Sequence, residues 1–270
     1  MEPVIRIENL VKQYAKRGLA GGGADPFTAV DSVSFSISPG TTLALVGESG
    51  SGKSSVALCT ACLERATSGR IWFAGQDAAA LSERELRMVR PGIQLVFQDP
   101  ANSLNSRWPV GEIVAEPLLV RGRIGRGKRE ALAAQALERV GLGAEYLSRR
   151  PAELSGGQRQ RVAIARALIL QPKVLILDEV MSALDCSMQA QIANLLTQLQ
   201  RTYGLAYLFI THDLKMAAHL GNEIAVMSAG KIVEQGPARE ILRAARRPET
   251  LSLLVASGIK SKQMGAVLQR

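Results

Sequence analysis

Eight consecutive residues of the 270-residue chain read Gly47, Glu48, Ser49, Gly50, Ser51, Gly52, Lys53 and Ser54. Glycines at this spacing let a backbone approach a ligand closely and turn its N–H groups inward. A helix starting at the end of the run points its positive N-terminal end at the same place. A lysine there reaches the β- and γ-phosphates of a nucleotide, and a serine hydroxyl ligates Mg²⁺. The bland alternative is a flexible Gly/Ser turn before a helix. Context disfavours it, because the short apolar run Thr42–Val46 leads directly into the loop and a helical pattern, Ser54–Leu63, follows it. Gly47, Glu48, Ser49, Gly50, Ser51, Gly52, Lys53, Ser54 and Ser55 are therefore the candidate contacts to ATP.

Two further groups complement the loop. Val174-Leu-Ile-Leu177 reads as a buried strand ending in Asp178 and Glu179. Asp178 can hold Mg²⁺, usually through water, and Glu179 can polarise an attacking water as general base. Without the loop upstream, two solvated acids would be the simpler reading. Leu154-Ser155-Gly156-Gly157-Gln158 places a capping serine before a helix running to about Leu170. Its exposed N–H groups form a second anion site. One ATP does not need two such sites on one chain. It does if two chains face each other, each closing the other's nucleotide.

The elements that must position these groups alternate in type. Ile5, Ile7 and Val11 mark a first strand, and Val30, Val33, Phe35 and Ile37 a half-buried second one closed by Pro39-Gly40. Between them, Ala15–Pro26 contains Gly21-Gly22-Gly23 and predicts a flexible loop. Ile93–Phe97 predicts a strand, and residues 99–170 a largely helical insertion with Leu132, Ala136 and Val140 on one face. The basic stretch Arg121–Arg129 predicts a solvated loop within it. Strands return at Lys173–Leu177, Leu205–Ile210, Glu223–Met227 and, as a short edge, Lys231–Gly236. A helix near Ser187–Thr202 carries Ile192, Leu195, Leu196 and Leu199 on one face, and Pro237–Arg270 predicts a helical tail.

Composition narrows the classes. Apolar residues at 47% and charged residues at 21% indicate a globular chain. The net charge of +9 suits polyanionic partners, but an Arg-rich surface explains it equally well. Aromatics at 4% argue against stacking platforms for single-stranded nucleic acid. Of the three cysteines, Cys59 and Cys62 are spaced to share a helix face and Cys186 stands apart, so no metal-ligand set is complete. No apolar segment has the length of a signal sequence or a membrane span, so another chain is expected to cross any membrane involved.

In chain order, the phosphate loop, Gln98, Leu154–Gln158, Asp178-Glu179, Ser182-Ala-Leu-Asp185 and His212 resemble the ATP-binding-cassette (ABC) ATPases, over nearly the whole chain. Val96-Phe-Gln-Asp-Pro100, Ser103-Leu-Asn105 and Val110–Leu118 resemble, within that family, the oligopeptide/dipeptide/nickel importer ATPases. The resemblance implies an α/β fold: a P-loop NTPase (RecA-like) core with an N-terminal antiparallel β subdomain and an α-helical subdomain. It implies a cassette over residues 1–236, its helical part about 99–170, and a helical extension over 237–270. It also implies that Gln98 touches Mg²⁺ or the attacking water, that Ser155 and Gly157 contact the γ-phosphate held by an opposite subunit, with Gly156 and Gln158 of the same motif also binding the nucleotide, and that Asp185 lies at the dimer seam. His212 would hydrogen-bond the γ-phosphate, whereas His219 has no such placement and is surface or core. An aromatic residue usually stacks on the adenine; Tyr14 is the candidate and Phe27 its rival. Val180-Met181 departs from the common Pro-Thr at a place where neither residue does chemistry.

The resemblance further implies ATP and Mg²⁺ as ligands and a peripheral location on the cytoplasmic face of the inner or plasma membrane. Partners would be a transmembrane permease docked on Gln98–Leu119, a second identical or related cassette and, indirectly, an extracytoplasmic binding protein. Peptide uptake is the first expectation and nickel or metal-chelate uptake the second. A non-transport ABC ATPase acting on nucleic acid is disfavoured, since no second cassette, coiled coil or zinc module is seen.

Overall fold

A computed structural model of the chain describes residues 2–16, 24–98, 103–119 and 124–259. It divides into two compact units, Met1–Arg90 with Ala206–Arg270, and Pro91–Leu205.

The first unit opens on two long antiparallel strands, β1 (Ile5–Lys16) and β2 (Ala24–Ile37). Ile5 and Ile7 on one, and Val33, Phe35 and Ile37 on the other, are buried at every second position, which is the period of a strand with one face inward. The strands continue through Ala15-Lys16 and Ala24–Pro26, where a glycine-containing loop was expected; residues 17–23, Gly21–Gly23 among them, lie outside the described residues. Strand β3 (Thr42–Val46) is buried throughout and leads through the glycine loop into α1 (Lys53–Thr60). That helix stops at Thr60 rather than Leu63. Cys62 beyond it adopts a positive φ of 56°, so the two nearby cysteines do not share a helix face. Strands β4 (Ser68–Phe73) and β5 (Gln76–Asp77) complete a sheet ordered β2-β1-β4-β5. Helix α2 (Glu83–Val89) follows, closed by a reciprocal cap between Ser82 and Glu85.

The second unit contains β6 (Ile93–Val96), α3 (Val110–Leu119), α4 (Arg126–Arg139), α5 (Gly156–Leu168), β7 (Val174–Asp178) and α6 (Cys186–Tyr203). Strands β6 and β7 run parallel, with Ile93 opposite Val174 and Val96 opposite Leu177. Helices α3, α4 and α5 pack together through Ile113, Val114, Ala133, Leu137, Ile164 and Leu168, all buried. Of the basic stretch, residues 121–123 lie outside the described residues, and Arg126–Arg129 form the start of a helix where a loop was expected. Lys and Arg are good helix formers, and the apolar face at Ala133, Ala136 and Leu137 gives the helix something to bury.

The chain then returns to the first unit as β8 (Ala206–Thr211), α7 (Leu214–Leu220), β9 (Glu223–Ser228) and β10 (Lys231–Pro237). Here β3 runs parallel to both β8 and β9, and β10 pairs antiparallel at the edge of β9. Helices α8 (Ala238–Ala244) and α9 (Pro248–Ala256) form the tail as far as it is described. Leu251 and Leu254 are buried, and α9 packs on β9. Among the described residues no helix is long and apolar enough to cross a membrane.

Candidate functional site

In the first unit the glycine loop is shaped by what surrounds it. A Cβ on Gly47 would run into the Met227 carbonyl oxygen. One on Gly52 would run into the Ala29 carbonyl oxygen and lie 2.8 Å from the Met227 methyl, and Gly52 also has a φ of +105°. Only glycine meets both demands at position 52. The β9–β10 turn braces the loop, with Gly230 N–H donating to Ser51 O at 3.0 Å and Asp31 N–H donating to Gly230 O at 2.8 Å. The Lys53 ammonium is buried inside the loop and donates to Gly47 O at 2.9 Å, Glu48 O at 2.7 Å and Ser51 Oγ at 3.3 Å. Glu48, Ser49, Gly50 and Ser54 are exposed and Ser55 half-buried. The result is a backbone cradle with a cation at its centre and an exposed hydroxyl at the start of a helix, suited to the triphosphate of a nucleotide with its metal ion.

Tyr14 on β1 lies beside that helix. Its hydroxyl donates to Glu64 Oε2 at 2.7 Å and lies 3.2 Å from Ser55 Oγ. Phe27, its pairing partner on β2, is 51% exposed. Tyr14 thus belongs to the loop's surroundings through named contacts, while Phe27 is half exposed on the neighbouring strand. No sequence signal pointed to Glu64, which is fifty residues from Tyr14.

His212 is exposed and directly follows β8. Its neighbour Asp213 caps α7 by accepting from the N–H groups of Lys215 and Met216, and donates its own N–H to Thr211 Oγ1 at 3.0 Å. These bonds fix the backbone on either side of the histidine. His219, on α7, is exposed.

In the second unit, the parallel pairing of β6 and β7 brings their C-terminal ends together. Gln98 and Glu179 each lie two residues beyond a paired position, Val96 opposite Leu177. The Gln98 amide donates to Glu179 Oε2 at 2.9 Å. Glu179 has a φ of +47°, an uncommon conformation for a side chain of its size. The Ser182 N–H and hydroxyl both donate to its carbonyl, at 3.1 and 2.9 Å, and hold the turn. Such strain, sustained by its surroundings, is typical of functional positions. Asp178 ends β7 and is half-buried. The Gln98–Glu179 contact was not foreseen, although both positions follow predicted strands by a similar distance.

Ser155 caps α5 reciprocally: its hydroxyl accepts from Gln158 N–H at 3.3 Å and Gln158 Oε1 accepts from Ser155 N–H at 2.9 Å. Asp185 caps α6 by accepting from Met188 N–H at 2.8 Å. The two helix starts are adjacent, since a Cβ on Gly157 would strike the Met188 methyl and one on Gly156 would lie 3.7 Å from Leu184. A separate cavity of about 540 Å³ is lined by Trp108, Glu112, Ala115, Leu119, Arg126 and Arg129, among others.

Comparison with known proteins matches residues 30–182 to the family described as ABC transporter. The chain is 47% identical over 256 residues to the glutathione import ATP-binding protein GsiA of Escherichia coli (strain K12), covering 94% of this chain and 41% of that protein. It is 46% identical over the same coverage to GsiA of Pectobacterium atrosepticum. The chain thus spans about two-fifths of the length of these relatives. Among solved structures, the ATP-binding cassette MJ0796, a dimer in a post-hydrolysis state bound to ADP and Pi, is 30% identical with a TM-score of 0.76, covering 87% of this chain and 99% of that one. The cbiO1 cassette from Clostridium perfringens, part of the transporter complex cbiONQ, is 27% identical with a TM-score of 0.76, covering the whole of both chains.

Proposed function

Because the chain belongs to the ABC transporter family, whose ATP-binding proteins bind and hydrolyse ATP, we propose that it is the ATP-hydrolysing cassette of an importer for small peptides. The observation that carries the catalytic part is the Gln98 amide on the Glu179 carboxylate at 2.9 Å. A general base needs a carboxylate within reach of water and a partner that fixes its orientation. Glu179 takes the proton of the attacking water, and Gln98 orients both. Lys53 neutralises charge on the β- and γ-phosphates, the loop N–H groups from Gly47 to Ser55 hold them, and His212 hydrogen-bonds the γ-phosphate. Tyr14 stacks on the adenine.

Ser54, Asp178 and Gln98 supply the hard oxygen donors that Mg²⁺ prefers. When bound, the ion neutralises the charge that develops on the transferred phosphoryl group. Ser155, Gly156, Gly157 and Gln158 close the site of a second cassette, with Asp185 at the seam. Their support is the helix start capped by Ser155, at which Ser155 is exposed, Gly156 and Gln158 are half-buried and Gly157 is buried. The partner cassette is a second copy or a related chain. The peptide class is favoured over nickel by the likeness to proteins named for glutathione import, a tripeptide. A membrane permease docks on the Gln98–Leu119 segment, and the cavity beside Trp108 and Leu119 supports that surface. The cassette works on the cytoplasmic face of the membrane, with a binding protein supplying the solute from outside.

Two measurements test this reading. ATPase activity per chain should rise with protein concentration if two cassettes share each site; a constant specific activity over a hundredfold range contradicts it. Affinity purification from native membranes should recover a multispanning permease; recovery of ribosomes or DNA in its place overturns import.

A further inference from the structure

Tyr14 is held at its hydroxyl end by groups from another part of the chain. Its O–H donates to Glu64 Oε2 at 2.7 Å and lies 3.2 Å from Ser55 Oγ. The Lys12 ammonium meets the same Glu64 oxygen at 3.0 Å and sits over the Tyr14 ring, 4.8 Å from its centre. Lys12 also donates to the Arg65 carbonyl at 3.0 Å. Lys12 and Tyr14 are two apart on β1, so they share a face of the sheet. Ser55 lies in the first turn of α1, and Glu64 follows its end, with its N–H on the Leu58 carbonyl at 3.2 Å. One anchor of the ring is therefore in the helix that begins with Lys53, and the other is tied to that helix just beyond its end.

We propose that Glu64, itself held by Lys12, is a positioning residue that fixes the Tyr14 ring relative to the phosphate loop, so that base and phosphates are gripped at one set separation. The proposal rests on the reading of Tyr14 as the stacking residue. A hydrogen bond to a carboxylate is stronger and shorter than a neutral one. A ring locked before the ligand arrives binds without losing rotational freedom at that moment. Burial alone would raise the Glu64 carboxyl, but the bonds from Tyr14 and Lys12 hold it below its ordinary value. Glu64 is consequently an anion at neutral pH and available to the phenol. The clamp acts on ligands that carry a base and is indifferent to bare phosphate chains.

The test compares the affinity of the full chain for ATP and for inorganic tripolyphosphate by titration calorimetry. Glu64→Ala should weaken ATP binding by about 3- to 10-fold, the scale of immobilising one side chain. Glu64→Gln, which keeps an acceptor but not the charge, should fall between Glu64→Ala and the natural chain. Tripolyphosphate affinity should not change in either. Adding Glu64→Ala to Tyr14→Ala should cost nothing beyond Tyr14→Ala alone. Equal losses for ATP and tripolyphosphate overturn the proposal, because they indicate damage to α1. So does unchanged ATP affinity in Glu64→Ala while Tyr14→Ala weakens it. Unchanged ATP affinity in Tyr14→Ala removes the stacking reading itself, and the clamp with it.

Discussion

Alanine placed at three glycines of the phosphate loop separates two physical costs. Gly50 has a φ of +80° with open space around it, so Gly50→Ala meets only the backbone penalty of the left-handed region. That penalty is about 1–2 kcal/mol. Gly47 lacks a positive φ, but its Cβ would meet the Met227 carbonyl and lie 2.9 Å from Ser51 Oγ. Forcing backbone apart in a packed region costs about 1–3 kcal/mol. Gly52→Ala carries both costs, the φ of +105° and the collision with the Ala29 carbonyl. It should lose about 2–5 kcal/mol, the sum of the two. Urea unfolding measures the midpoints, and the free energies scale with them at constant slope. The expected order of destabilisation is Gly52→Ala, then Gly47→Ala, then Gly50→Ala. ATP titration should show Gly52→Ala as the poorest binder of the three. If Gly52→Ala unfolds at the same urea concentration as Gly50→Ala, β2 does not hold the loop where the structure places it, and the reasoning fails.

Other expectations follow from the same contacts. Ser155→Ala should cost about 1 kcal/mol through loss of the α5 cap. Ser155→Asp should restore that stability yet leave ATPase activity low, since a carboxylate repels the incoming phosphate; full activity in Ser155→Asp contradicts the phosphate role. Burial pushes the Cys59 and Cys62 thiols up to about 11, whereas Cys186 is exposed. A thiol reagent at pH 8 should therefore label Cys186 quickly and the other two only after denaturation; fast labelling of Cys59 or Cys62 contradicts their burial. Partial burial pushes the Glu64 carboxyl up, but the bonds from Tyr14 and Lys12 outweigh it and hold the group below the ordinary carboxyl range, so these bonds stabilise the fold above that range. The contribution disappears as pH falls through the lowered value. Glu64→Gln should accordingly lose stability at neutral pH and less of it in acid, read from thermal midpoints between pH 3 and 7. An unchanged difference across that range refutes the ionic character of the contact.

Much of this arrangement was legible from short-range signals. The loop, its flanking strand and helix, and the helix start capped by Ser155 each announce themselves within a few residues, whereas the cap that Asp185 gives α6 went unread. The place of Asp178 and Glu179 at the end of β7 was readable because the apolar run Val174–Leu177 stops on them. Less visible was anything carried by long-range pairing. The Gln98–Glu179 contact depends on parallel β6 and β7, whose residues are 81 positions apart at that point. Glu64 could not be found, because its partners Lys12 and Tyr14 sit on a strand that the sequence separates from it by the whole of β2, β3 and α1. Strands β4 and β5 went unread, as Ser68–Phe73 buries only alternate residues next to the already paired β1. Helix α2 was missed even though Ser82 and Glu85 have the spacing of a reciprocal cap. The basic residues Arg126–Arg129 at the start of α4 were misread because charge was taken as a sign of loop, whereas Arg and Lys favour a helix once Ala133 and Leu137 have a surface to cover.

The central claim is that Glu179 is the base that activates water against bound ATP. Steady-state ATPase activity of Glu179→Gln, measured beside its ATP affinity, tests it most directly. The account predicts a rate lower by about 10²–10⁴-fold with ATP affinity preserved, because glutamine keeps the shape and the Gln98 contact but cannot accept the proton. A variant that turns over ATP at the natural rate would contradict the account and return Glu179 to a structural role.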